Sequence, residues 1–148
     1  MAPGRAAEAG VPLAIRRFAA ILYAVITSLA VAFQLALAVG VPWGAFAMGG
    51  RFPGQLPAVL RAAAMVQALV LLALAAVVLA RQGVAFRRLA RPSRWLIWLV
   101  AAFAAVSLVL NLITPSARER AMWSPVAFAL LVTSLLVATG RAGPGPAA

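Results

Sequence analysis

The chain has 148 residues, 66% of them hydrophobic and 10% charged, with a formal net charge of +11 from 13 basic residues against 2 acidic ones. Soluble domains are roughly half apolar and about a quarter charged, so this composition is that of an integral membrane protein. Cysteine, histidine, aspartate and lysine are absent, which excludes disulfides, thiol nucleophiles, thiolate zinc sites and Schiff-base chemistry, and leaves no cofactor or metal to expect.

Glu8 and Glu119 are the only acids, and every base is an arginine. General acid–base catalysis draws mainly on residue types missing here. The expectation is therefore a protein that is not an enzyme.

Residues 1–15, MAPGRAAEAGVPLAI, are small and punctuated by proline and glycine, and read as a disordered tail. Arg16 and Arg17 then precede a first apolar run over residues 18–40. A bilayer core of about 30 Å needs about twenty apolar residues in a helix, and this run supplies them. A basic start, an apolar stretch and Ala36-Leu37-Ala38 also imitate a signal peptide, but the run exceeds the roughly 7–15 residues of such a segment. A retained helix is expected.

Within it, small residues recur at every fourth position: Ala20, Ala24, Ser28, Ala32, Ala36 and Gly40. Small residues let helix backbones approach closely in lipid, so this ladder is expected to be the packing face, although it drifts about 40° per step on a helix of 3.6 residues per turn. Tyr23, Thr27 and Gln34 fall in a narrow arc beside it.

The connector over residues 41–57, VPWGAFAMGGRFPGQLP, is too rich in glycine and proline to continue a helix. It carries Trp43, Phe46, Met48, Phe52 and Leu56, unusually apolar for a solvated loop. These side chains rest at the lipid headgroup level, as tryptophan commonly does, or they form a lid over a binding site. Pro57 suits the first turn of a helix, and the second apolar run follows over residues 58–80, with Arg61 one turn inside and able to snorkel outward. A second connector concentrates Arg81, Arg87, Arg88, Arg91 and Arg94; Trp95 and Trp98 then open a third run over residues 95–113.

The fourth run, from Pro125 to Gly140, is by itself a few ångströms short of a bilayer core. Upstream, Ser116-Ala117-Arg118-Glu119 fits the capping box S-x-x-E, in which serine and glutamate side chains each satisfy a free backbone donor. The helix is expected over residues 117–140, with Pro125 kinking it or separating an interfacial turn from the span proper. Residues 141–148, RAGPGPAA, read as a second disordered tail.

The fold class expected is thus all-α, a transmembrane four-helix bundle in one domain. Arg5, Arg16, Arg17, the cluster from Arg81 to Arg94, and Arg141 lie on one side; Arg51, Arg61, Arg118 and Arg120 lie on the other. The positive-inside rule then puts both termini and the second connector in the cytoplasm. Basic residues so placed anchor the chain against anionic headgroups at about 1 kcal/mol each, which speaks against a nucleic-acid partner.

Gln34, Gln67, Ser107, Asn111, Thr133 and Ser134 are uncharged polar groups at depth. On the plain reading they hydrogen-bond one another or backbone carbonyls, at about 0.6 kcal/mol each. On the sharper one, Gln34, Gln67 and Asn111 line a polar, ligand-binding cleft under the first connector, with Arg61 and Glu119 near its mouth. No ionisable residue lies near the middle of a span, against a proton-coupled pump.

The segments WGAFAMGGRFPGQLP and NLITPSARERAMWSP, one in each outward connector, resemble features of small uncharacterised bacterial four-span membrane proteins. The resemblance implies a fold and no activity. Small multidrug exporters use a glutamate in the first span and dual-topology fluoride channels have weak charge bias; this chain has neither feature. An alanine- and arginine-rich, lysine-free composition points to a GC-rich bacterial genome. The expected role is structural, accessory or partner-binding in the bacterial cytoplasmic membrane, as a multi-pass protein meeting membrane lipids and a membrane protein partner or a second copy of itself. The alternatives are a carrier or channel for a small polar or amphiphilic solute, using the cleft residues as ligands, and a lipid-modifying enzyme working through Glu119 and Arg120.

Overall fold

The computed structural model describes residues 11–140, and among them there is no strand. Four helices follow in order: α1 (Leu13–Val39), α2 (Ala58–Arg81), α3 (Ser93–Ile113) and α4 (Ala117–Ala138). Each is long and apolar enough to cross a membrane. Short 3-10 turns at Gly44–Phe46, Met48–Gly50 and Arg87–Leu89 shape the first and second connectors.

α1 begins at Leu13, inside the stretch read as a tail, because Leu13, Ala14 and Ile15 are helix formers that follow directly on Pro12. Residues 1–10 and 141–148 lie outside the described residues, and with them most of both expected tails. α4 runs unbroken through Pro125, so no separate interfacial turn exists. Its 22 residues span about 33 Å, and the charged segment at its start supplies the length the apolar run lacks.

α1 packs most extensively on α2 and α3 on α4; α4 returns against α1, and α2 and α3 touch least among neighbours. The buried positions explain this. On α2 Ala64, Ala68, Leu71, Ala75 and Val78, and on α3 Ser93, Ile97, Val100 and Ala104, follow one another in alternating steps of four and three, with Ala80 and Ala101 buried beside them. On α1 the same steps join Arg16, Ala20, Tyr23, Thr27, Ala30 and Leu37, with half-buried Gln34 in register between the last two. That 3.5-residue period keeps one seam facing the neighbours.

The every-fourth ladder on α1 does not. Ala20 is buried, but Ser28 and Ala32 are exposed, and Ser28 Oγ donates to the carbonyl of Ala24 in its own helix (2.8 Å). The 40° drift per step carries the ladder out of the seam, and the arc of Tyr23, Thr27 and Gln34 takes the packing face instead.

Small side chains at the seams allow close approach, and large apolar ones point outward: Leu29, Val59, Trp95 and Leu99 are 61–83% exposed. An outward apolar belt of this extent has no counterpart on a monomeric soluble fold. Where Tyr23, Val78, Ile97, Val100 and Val137 meet, all four helices contribute to one core. At the opposite end Phe33, Leu37 and Ala64 pack with Ala47 and Leu56 of the first connector.

α1 ends in a Schellman motif. Gly40, at φ 100°, donates to the Leu37 carbonyl (3.1 Å), and the Val41 N–H donates to that of Ala36 (2.9 Å). Two further carbonyls are met from outside the helix, that of Ala38 by Arg61 Nε and that of Gly40 by Gln55 Nε2, each at 2.9 Å.

Candidate functional site

Toward the end covered by the first connector, polar residues occupy positions on or beside the seams. Gln34 is in register on α1; Ser107 and Asn111 continue the seam of α3; Glu119 lies one turn before Trp123 on α4. Apolar packing fails there, and a cavity of about 210 Å³ results. Its walls include Tyr23, Phe33 and Gln34 from α1, Gln67 from α2, Phe103, Ser107 and Asn111 from α3, and Glu119 and Trp123 from α4. Phe46, Ala47 and Met48 of the first connector also line it.

Four of the five residues expected to form a cleft therefore surround one cavity. Arg61 does not line it. Its guanidinium is held by the Ala38 carbonyl at the C-terminus of α1, where the helix dipole favours a cation.

Some of the polar groups are satisfied locally, as the plain reading holds. Asn111 Nδ2 donates to the Ser107 carbonyl (2.8 Å), Thr133 Oγ1 to that of Ala129 (2.7 Å) and Ser134 Oγ to that of Leu131 (2.8 Å). Gln34 Oε1, like Gln82 Oε1 and Ser124 Oγ, is buried without a hydrogen-bond partner, and of these three residues Gln34 alone lines the cavity. A buried acceptor left unmet costs about 1–3 kcal/mol. Gln67 lines the cavity but is itself exposed, so the cavity reaches the surface beside it, where α2 and α3 pack loosely.

The connector is stitched over this end. Trp123 Nε1 donates to the Phe46 carbonyl (2.8 Å), Ser116 Oγ to that of Ala45 (3.1 Å), and the Gly49 N–H to Glu119 Oε2 (2.8 Å). Phe33 stacks on Trp43 with centroids 5.9 Å apart, and meets Trp123 edge-on at 4.8 Å. The connector is thus tied to α1 and α4 through Trp43 and its backbone, while Met48 and Phe52 remain exposed.

Half of the expected capping box forms. The Glu119 N–H donates to Ser116 Oγ (3.2 Å), but the glutamate side chain does not return to the cap. Its Oε2 instead accepts from Gly49 N–H and from Thr114 Oγ1 (3.0 Å). Met48, Gly49 and Gly50 all have positive φ, at 54°, 73° and 72°. Glycine adopts this freely, whereas Met48 there carries strain of about 1–3 kcal/mol.

No arginine lies within ion-pair distance of Glu119 among the described residues, and Arg120 Nη1 is held on the Thr114 carbonyl (3.1 Å). The cavity therefore has one carboxylate and no base in its walls. Among the described residues no cluster could hold a metal ion.

A second pocket, about 420 Å³, lies between α1 and α4 and is wholly apolar in its residues, among them Ile26, Leu29, Met122, Pro125 and Ala129. Ala30, Phe33, Trp123 and Val126 line both it and the polar cavity.

Trp123, Phe33 and Phe46 escaped the sequence reading as cavity residues. The signal for Trp123 is its place four residues before buried Ala127, on the α4 seam; nothing comparable marks Phe46, whose position depends on the fold of the connector. Comparison with known proteins found no matching family model, curated protein or solved structure.

Proposed function

We propose that the chain is a multi-pass protein of a bacterial cytoplasmic membrane that binds a small amphiphilic solute in the cavity beneath its first connector, as a receptor or carrier. The arginine distribution supports an orientation with both termini and the second connector in the cytoplasm. The cluster from Arg81 to Arg94 then meets anionic headgroups.

One observation carries the reading. Gln34 places a buried, unmet acceptor on a cavity that it shares with Gln67, Asn111 and Glu119, under a connector tied down from α4. A purely structural subunit gains nothing from that acceptor, since an apolar residue of similar shape would remove the penalty. Small-molecule sites combine a mostly apolar and aromatic wall with a few convergent polar groups, which is the composition found here.

The test uses the full chain in phosphatidylcholine nanodiscs, titrated with alkylammonium and alkyl glycoside amphiphiles and followed by native mass spectrometry. Saturable, stoichiometric binding that Gln34→Leu abolishes supports the reading. Retention of all bound species in Gln34→Leu, or no binding by either class, sinks it.

A further inference from the structure

The cavity and the apolar pocket adjoin, with Ala30, Phe33, Trp123 and Val126 lining both. We infer that the ligand is a single-chain amphiphile with an ammonium head, seated with its head in the polar cavity and its tail in the pocket between α1 and α4; this rests on the reading of the cavity as a binding site.

The charge of the head follows from the walls. Glu119 is the one acidic side chain lining the cavity, and no arginine joins it there. Two arginines of this end are engaged on backbone carbonyls, Arg61 on that of Ala38 and Arg120 on that of Thr114. Gln34 Oε1 is buried without a donor, and an ammonium head supplies N–H donors together with a charge opposite to a carboxylate. Tyr23, Phe33, Phe46, Phe103 and Trp123 add ring faces and edges to the same walls. Aromatic surroundings favour a desolvated cation further.

The tail follows from the neighbouring pocket. Leu29 and Met122, which line it, are exposed on the apolar exterior, so the pocket meets the lipid side of the molecule. Phe33 and Trp123 stand between it and the polar cavity and contact each other edge-on. Pro125 in its wall has no N–H to bond the Ala121 carbonyl. An amphiphile already dissolved in the bilayer would enter sideways, tail alongside Leu29 and Met122, without crossing the first connector.

The experiment uses the full chain in phosphatidylcholine nanodiscs with Trp43, Trp95 and Trp98 changed to phenylalanine, so that Trp123 alone fluoresces. Dodecylammonium carrying bromine on its tail is titrated as a quencher, and butylammonium and dodecanol are competed against it. The expected result is saturable quenching, with dodecylammonium at least about tenfold tighter than either competitor. Ala129→Phe, or the milder Ala129→Leu, brings dodecylammonium down to the affinity of butylammonium. Equal affinity of the long and short ammonium ions, or intact tail preference in both Ala129 variants, overturns the tail assignment while the cavity reading stands. Dodecanol binding as tightly as dodecylammonium overturns the charged head. If neither ammonium ion binds saturably to protein whose cooperative thermal unfolding is intact, this inference fails; the cavity reading fails with it only if the alkyl glycosides also do not bind.

Discussion

The carboxylate of Glu119, on the first turn of α4, accepts a hydrogen bond of 2.8 Å from the backbone N–H of Gly49, 70 residues earlier in the first connector. Thr114 Oγ1 donates to the same oxygen, so one acidic side chain ties together the short link between α3 and α4, α4 itself and the first connector. Glu119→Ala leaves two donors without their acceptor, and a loss of about 1–3 kcal/mol is expected. Glu119→Gln, which keeps a carbonyl oxygen in place, should lose less. Thermal unfolding in detergent measures the difference, and faster tryptic cleavage at exposed Arg51 in Glu119→Ala would report the loosened connector directly.

Gln34→Leu removes the unmet acceptor and keeps an apolar side chain of similar reach. Stability should rise, by up to about 1 kcal/mol, while solute binding disappears, the trade expected where a polar group is kept for function. A fall in the unfolding temperature would show that Gln34 is satisfied in the protein.

Arg61 is a ligand candidate from its position in the chain, and its Nε donates to the Ala38 carbonyl at the end of α1. Arg61→Gln should cost about 0.5–2 kcal/mol in stability and leave affinity for the solute unchanged. A marked loss of affinity at unchanged stability would return Arg61 to the binding site.

Two glycines of the first connector should behave oppositely. A Cβ on Gly44 would lie 1.9 Å from the Phe52 carbonyl oxygen, and Gly44 also donates to the Gly54 carbonyl at 3.1 Å. Gly44→Ala is expected to destabilise by about 1–3 kcal/mol through overpacking. A Cβ on Gly54 would meet nothing within 4 Å, so Gly54→Ala should stay within about 0.5 kcal/mol of the parent. Equal unfolding temperatures for the two variants would contradict the connector's packing.

Orientation is open to a direct assay. A reporter enzyme active only in the cytoplasm should work when fused after Ala148 or near Gln82 and be silent after Gly50. Activity at Gly50 would invert the arrangement drawn from the arginines.

Much of this arrangement is legible without coordinates. The four apolar helices, the helix start at Ala117 and the capping by Ser116 follow from residue type and short-range spacing, which are local properties of the chain. Gln34, Gln67, Asn111 and Glu119 stand out as rare polar groups in apolar surroundings, and they do surround one cavity. On α1 the period decides over small size: Ala20 belongs to both patterns, but only steps of four and three keep facing a neighbour.

The sequence alone determined the number of membrane-length helices, where their apolar stretches fall and which chemistries lack reagents, because length, hydropathy and inventory are sums along one dimension. Only the tertiary structure decided that Arg61 caps α1, that Glu119 leaves its own cap to hold Gly49, and that Phe46 roofs a cavity. Those outcomes depend on how each helix is rotated about its axis and on the path of a connector with three consecutive positive φ angles. Both are set by contacts between residues far apart in the chain, where local spacing carries no information.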